Sequence, residues 1–330
     1  KSGQMVGPRL FSTGTILYGA DGDFKATINS LEDARSAIRR TKAFGAQSVK
    51  SYNQPRREQR QQVMQAAREM RINVVPEGGS TFYTNMNMIM DGHTGVEHNI
   101  PVAPVYNDVL ELWKTSNSGY TPTLIVNYGG INGEFYFYQN DKVWENEKLL
   151  KYTPRALIDA RSRYRMMIPD EDYENGHILV SKTAKALADS GVKVNLGAHG
   201  QLQGMGAHWE LLMLEQGGMT NMQALEAATI NGATYVGAGE EIGSLKAGKL
   251  ADLIVLDKNP LKDIRNSDTV IYTMVNGRLY NTDTMNEIGN TERSRGKFWW
   301  ENNKHNTAFP WHDAAQSFTK SGCGCHLGHQ

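Results

Sequence analysis

Short runs rich in Val, Ile and Leu alternate with helix-periodic stretches along most of this chain, and that rhythm limits the fold more than any other feature. Residues 10–13, opened by Gly7 and Pro8, read as a strand, as do residues 49–52, 72–75, 95–98, 121–127 and 192–199. Between them, residues 29–44 repeat Leu31, Ala34, Ala37 and Ile38 at helical spacing, with a helix start at Ser30. Residues 54–71 do the same with Val63, Ala66, Ala67 and Met70. A parallel strand pair needs a long return path, so strand–turn–helix–strand implies parallel strands joined by crossover helices. The expected fold class is α/β, a (β/α)8 TIM-like barrel. A closed barrel needs about eight strands, and two more than the six legible here are expected upstream of Lys1. They would come from preceding sequence or from another chain.

Three segments depart from the rhythm. Residues 128–176 are long and aromatic, with Phe135, Tyr136, Phe137, Tyr138, Trp144, Tyr152 and Tyr164. Insertions of this kind form lids over an active-site mouth or fold back as packing excursions, and the sequence leaves both open. Residues 241–290 turn to strand signals, with Asn276-Gly277 between two short runs as a hairpin mark. The expected division is therefore a partial barrel over 1–240, a small appended β unit over 241–290, and a polar, aromatic tail over 291–330. The tail carries Cys323, Cys325, His326 and His329, whose spacing matches no usual structural zinc pattern.

Lys+Arg and Asp+Glu total 35 each, so no global field draws the chain to nucleic acid. No apolar run is long enough to span a bilayer. A small-molecule substrate is the expected partner, with oligomerisation left open.

In a parallel barrel the chemistry sits at the C-terminal strand ends, and alternate residues face inward. Lys50 lies at such an end, either as a lysine snorkelling to the rim or as a metal-bridging carbamylated or Schiff-base lysine. His98 shares a face with Val96 by alternation and is expected to point into the mouth. His199 closes the last strand in the same way. Each histidine alone is more simply a hydrogen-bonded core residue, but two at one mouth suit metal binding. Glu77 shares a face with Val75 and is a candidate ligand or general base. Asp91, His93 and Glu97 lie close to His98 in sequence, as supporting groups or as a solvated loop. His208, His93 and Tyr128 are candidate substrate contacts, His208 being equally a capping and packing residue.

The run IGSLKAGKLADLIVLD over 242–257, followed by VNGRLY over 275–280, closely resembles the C-terminal signature of the amidohydrolase superfamily. GGMTNMQALEAATINGA over 217–233 resembles the helix before it. The resemblance runs from about residue 7 to 287 and is nearest the imidazolonepropionase- and prolidase-like branch. More narrowly, it is similar to amidohydrolases fused behind TolB-like propellers in secreted or periplasmic bacterial proteins. It implies a hydrolase of C–N bonds other than ordinary peptide bonds, using metal-activated water and one or two divalent ions, zinc first. It implies that Lys50 is the carbamylated bridging lysine and His98 the sixth-strand ligand. The family's His-x-His pair is missing from this chain. Val75 falls where a fifth-strand histidine belongs, with Glu77 as substitute, and His199 falls where the family has its aspartate base. The resemblance also leaves room for a degenerate, non-catalytic barrel. A Schiff-base lyase built on Lys50 is a third reading, but it gives the two histidines no joint role.

Overall fold

The computed structural model describes residues 7–18, 25–162 and 167–298. Among them, β1 (Ile16–Tyr18), β2 (Lys25–Thr27), β3 (Ser48–Tyr52) and β4 (Asn73–Pro76) form a parallel ladder in the order β2-β1-β3-β4. A second parallel pair joins β5 (Gly95–Glu97) to β6 (Gly119–Thr121). A parallel bridge from Glu77 to Glu97 links the two ladders, and another from Tyr120 to Val194 extends the far edge. The strands thus make one parallel run with helices between them: an α/β fold of barrel type. Among the described residues no ladder joins β2 to the Val194 edge.

The crossover helices follow their strands in turn. They are α1 (Leu31–Ala43), α2 (Arg57–Met70), α3 (Phe82–Asp91) and α4 (Asn107–Ser116). Ser30 caps α1, its hydroxyl accepting from the Asp33 N–H at 3.1 Å. Ala34, Ala37 and Ile38 of α1 and Val63, Ala66 and Ala67 of α2 pack on Leu17, Val49 and Val74 as one core. A second core gathers around Trp113, Tyr120, Leu124 and Trp209.

Parallel partners share a face of the sheet, so the register sorts the side chains. Leu17, Val49, Val74, Val96 and Tyr120 face the helices with no solvent exposure. Each such aliphatic side chain contributes about 1.5–3 kcal/mol. Lys50, Tyr52, Val75, Glu77, Glu97 and Thr121 take the alternate positions and share the other face, which is mostly polar.

Several expected strands are displaced. Residues 10–13 form no strand; the first one starts at Ile16. Arg9 is tied instead to Asp252 by two hydrogen bonds of 2.7 and 3.0 Å, and the Ser12 hydroxyl accepts from Gly14 N–H in a turn. β2 gave no periodic signal because it is only three residues long. The strand expected over 121–127 ends at Thr121. Pro122 follows, Thr123 has a φ of 53°, and the side-chain carboxyl of Glu210 accepts from the Leu124 and Ile125 N–H groups at 2.7 and 3.0 Å. Of residues 192–199 only Val194 forms a ladder contact, because Leu196 N–H has already turned to the Ala227 carbonyl.

The aromatic segment folds as α5 (Glu134–Asn140), α6 (Glu147–Tyr152), α7 (Arg155–Ser162) and α8 (Asp170–Tyr173), and a π-helical turn then leads into α9 (Leu179–Asp189). Phe137 stacks on Trp209 of α10 (Met205–Gln216), with ring centroids 4.7 Å apart, and Tyr138 meets the same indole edge-on. These rings are core, not an open cover; Tyr164 lies outside the described residues. α11 (Asn221–Glu226) and α12 (Gly232–Tyr235) precede an antiparallel sheet of β7 (Leu253–Leu256), β8 (Val270–Val275), β9 (Arg278–Asn281) and β10 (Glu287–Ile288). Its β8–β9 turn is Asn276-Gly277, both at positive φ as a tight hairpin requires. Cys323, Cys325, His326 and His329 lie outside the described residues. Among those described, no helix is long and apolar enough to cross a membrane.

Candidate active site

β3, β4 and β5 end side by side, and the side chains at those ends converge on Glu77. The Lys50 ammonium lies 2.5 Å from one carboxylate oxygen of Glu77. The Tyr128 hydroxyl donates to the other at 2.9 Å, and His98 Nε2 is 3.7 Å from that same oxygen. His98 stacks on the Tyr128 ring at 4.5 Å and meets the His199 ring edge-on at 5.1 Å. Lys50, Glu77, His98, His199 and Tyr128, all expected from sequence, are thus brought together.

The route by which His98 arrives differs from the expected one. Val96 faces the helices, so simple alternation would send His98 outward with it. His98 instead has a φ of 69°, and this left-handed residue swings the ring toward Glu77. His199 likewise has a φ of 52°. Non-glycine residues held there store strain and concentrate at functional sites. The neighbouring Asn99 side chain pins the turn, donating to the Tyr128 carbonyl and accepting from its N–H at 2.9 and 2.7 Å.

Charge states follow from these contacts. Burial pushes the Glu77 carboxyl upward, but the Lys50 ammonium, the Tyr128 hydroxyl and His98 outweigh it and hold Glu77 below its ordinary range. Burial pushes the His98 imidazole down to about 4, against the pull of Glu77. At neutral pH the centre is therefore an ionised carboxylate beside a neutral imidazole. His98 Nδ1 is buried and has no hydrogen-bond partner. Carboxylate oxygen and neutral imidazole are the donors a divalent ion takes, so the residues fit such an ion in kind. Among the described residues no three of His, Cys, Asp and Glu converge closely enough to form a ready metal cage.

Other candidates sit elsewhere. His93 precedes β5, at the opposite end of the strand from the cluster. It is buried, its Nδ1 lies 2.9 Å from the Met88 carbonyl, and burial pushes it down to about 4. Asp91 is neither solvated nor beside His98; its fully buried carboxylate pairs with Arg57 and Arg60 at 2.8 and 3.1 Å. His208 on α10 meets the Ser267 hydroxyl at 2.9 Å, a packing contact with the appended unit.

Two groups near the cluster carried no role in the sequence. Glu134 accepts from the Gln201 amide at 3.2 Å, and Gln201 in turn lies 3.3 Å from His199 Nδ1. Burial raises the Glu134 carboxyl. Tyr235 on α12 donates to Glu97 at 2.6 Å, and burial raises Glu97 as well. Gly95 and Gly119 make room for that tyrosine, since a Cβ on either would fall within 2.8 Å of its ring or hydroxyl. Their small size was the only sequence signal for it.

Comparison with known proteins bears on this arrangement. A family model described as "Amidohydrolase family" matches residues 155–280. The chain is similar to ochratoxinase of Aspergillus niger, 31% identical over 165 residues, which is 44% of this chain and 33% of that protein. It is similar to a 5-methylthioadenosine/S-adenosylhomocysteine deaminase of Teredinibacter turnerae, 32% identical over 110 residues, 29% of this chain and 25% of that protein. The matches thus span a third or less of these curated relatives. In fold it resembles a Xaa-Pro dipeptidase crystallised with methionine in its active site. The TM-score is 0.62 at 22% identity, covering 85% of this chain and 70% of that one.

Proposed function

Because this chain belongs to the amidohydrolase superfamily, we propose that it hydrolyses a C–N bond of a small amide-type molecule with the help of a divalent metal. The observation that carries this reading is the Glu77 carboxylate, clamped by Lys50 and Tyr128 beside the facing His98 and His199 rings. Glu77, His98 and His199, with Lys50 as a bridging carbamate, would hold one or two ions, zinc first. Bound there, a metal supplies Lewis acidity toward the carbonyl and a more acidic water.

The chain's own groups do the rest. Glu77 is ionised and takes a proton from the attacking water. The water oxygen adds to the carbonyl carbon, the C–N bond breaks, and the proton passes to the departing nitrogen. The Tyr128 hydroxyl fixes the carboxylate while this happens, its ring orients His98, and burial keeps that imidazole neutral.

Metal analysis of the full-length protein, with His98→Ala beside the wild type, tests the proposal, and a panel of cyclic amides and dipeptides reads out activity. Bound metal that falls with His98→Ala, together with lost hydrolysis, is expected. A metal-free protein whose activity survives that substitution would sink it. A second reading, a non-catalytic barrel, draws on Val75 on the inner face and on the absence of a three-donor cage among the described residues. It predicts no turnover of any panel member even with metal bound.

A further inference from the structure

The polar face of the sheet does not end at Lys50. Across β3, β1 and β2 it continues as Tyr52, Tyr18 and Lys25. The register pairs Tyr18 with Tyr52 and with Thr27, which puts both tyrosines and Lys25 on the face that carries Lys50. The two tyrosine rings meet edge-on at 5.4 Å. The Lys25 ammonium lies over the Tyr18 ring at 4.3 Å and 5.4 Å from the Tyr52 centroid. Lys50 lies 5.4 Å from that same Tyr52 centroid. The two ammonium groups are therefore no further apart than twice that distance, with an aromatic floor between them.

They differ in what they hold. Lys50 is engaged by Glu77 at 2.5 Å. Lys25 has no carboxylate within ion-pairing distance among the described residues. Two ring faces orient it and it is only partly exposed, so a ligand anion meets a cation already localised. Lys50 stands between the Tyr52 ring and the Glu77 carboxylate, so this floor adjoins the Glu77 centre.

We infer that Tyr18, Tyr52 and Lys25 form a substrate subsite for a planar arm ending in a carboxylate. This deepens the hydrolase reading and rests on it for the position of the scissile bond. The substrate class is an amide whose nitrogen or acyl arm is an aryl carboxylate. The amide lies at Glu77, the ring on Tyr52 and Tyr18, and the carboxylate on Lys25. An aliphatic amide without a charge would leave Lys25 unused and the tyrosine floor bare.

Binding without turnover separates the subsite from the reaction. Calorimetric titration of the full-length protein with 4-acetamidobenzoate and with its neutral carboxamide gives the charge preference. The carboxylate is expected to bind about tenfold more tightly, the size of one hydrogen bond to a charged group. Lys25→Met is expected to abolish that preference while its melting temperature stays that of the wild type. Tyr52→Leu is expected to weaken both ligands. Equal binding of the two ligands, no binding of either, or a preference that survives Lys25→Met would overturn the subsite. If the two ligands are hydrolysed at equal rates, the hydrolase reading stands and the subsite falls. If the preference is present but no amide is cleaved, the reverse holds.

Discussion

Glu77 is held by two donors of different kind. Removing the neutral one isolates its part without unpairing a charge. Tyr128→Phe keeps the ring that stacks on His98 and deletes only the hydroxyl that donates to Glu77. A hydrogen bond to a charged group is worth about 1.5–3 kcal/mol, so kcat/KM is expected to fall roughly ten- to a hundredfold. Its acid limb should also move up in pH, since one of the contacts that keep Glu77 ionised is gone. A steady-state profile checks both effects, and an unmoved limb argues against Glu77 as the base. His93 gives a stability test away from the site. Its folded value of about 4 lies below the ordinary imidazole value of about 6.5, so the unfolded chain binds the extra proton. The stability this contributes is present above about pH 6.5 and is lost as pH falls toward 4. His93→Asn keeps an N–H for the Met88 carbonyl without the titration. Melting curves across that window are expected to be flatter for the variant.

At the scale of elements, the α10 helix reaches across to fix the turn after β6. Glu210 is fully buried and its partners are the Leu124 and Ile125 N–H groups; burial pushes it up to about 8 in spite of them. A carboxyl raised in the folded state contributes stability that is complete below its ordinary value and is lost as pH rises through about 8. Glu210→Gln should remove that alkaline loss, visible as a stability curve that no longer declines between pH 5 and about 9 by calorimetry. A decline unchanged by the substitution would show that another group is responsible. The elements legible in sequence were those whose periodicity ran long enough to register. α1, α2, β3 and β4 stand within a few residues of expectation because Leu31, Val63 and their neighbours repeat for several turns. β1 and β2 are three residues each, too short to alternate visibly. The strand expected over 121–127 stops short because a distant carboxyl group, not a local breaker alone, captures the backbone there. In the site, residue types announced themselves at strand ends, while Tyr235 and Glu134 arrive from helices far along the chain.

Across the whole molecule the two cores divide the labour. One couples β1, β3 and β4 to α1 and α2; the other contains Trp113, Trp209 and the aromatic helices. Leu17→Ala in the first core is expected to cost about 2–5 kcal/mol. Hydrogen exchange should then lose protection in α1 and α2 while the amides of α10 keep theirs, because locally stabilised units open separately. Uniform loss of protection would mean the cores unfold as one. The sorting of side chains by sheet face has a consequence for descent with modification. Every group at the reactive centre stands on the face turned away from these cores or in the turns beyond the strands, and the core residues face the helices. A lineage can exchange Lys25, Glu77 or His199 for another chemistry without disturbing the packing that lets the chain fold. What such a scaffold acts on can therefore drift faster than what it looks like.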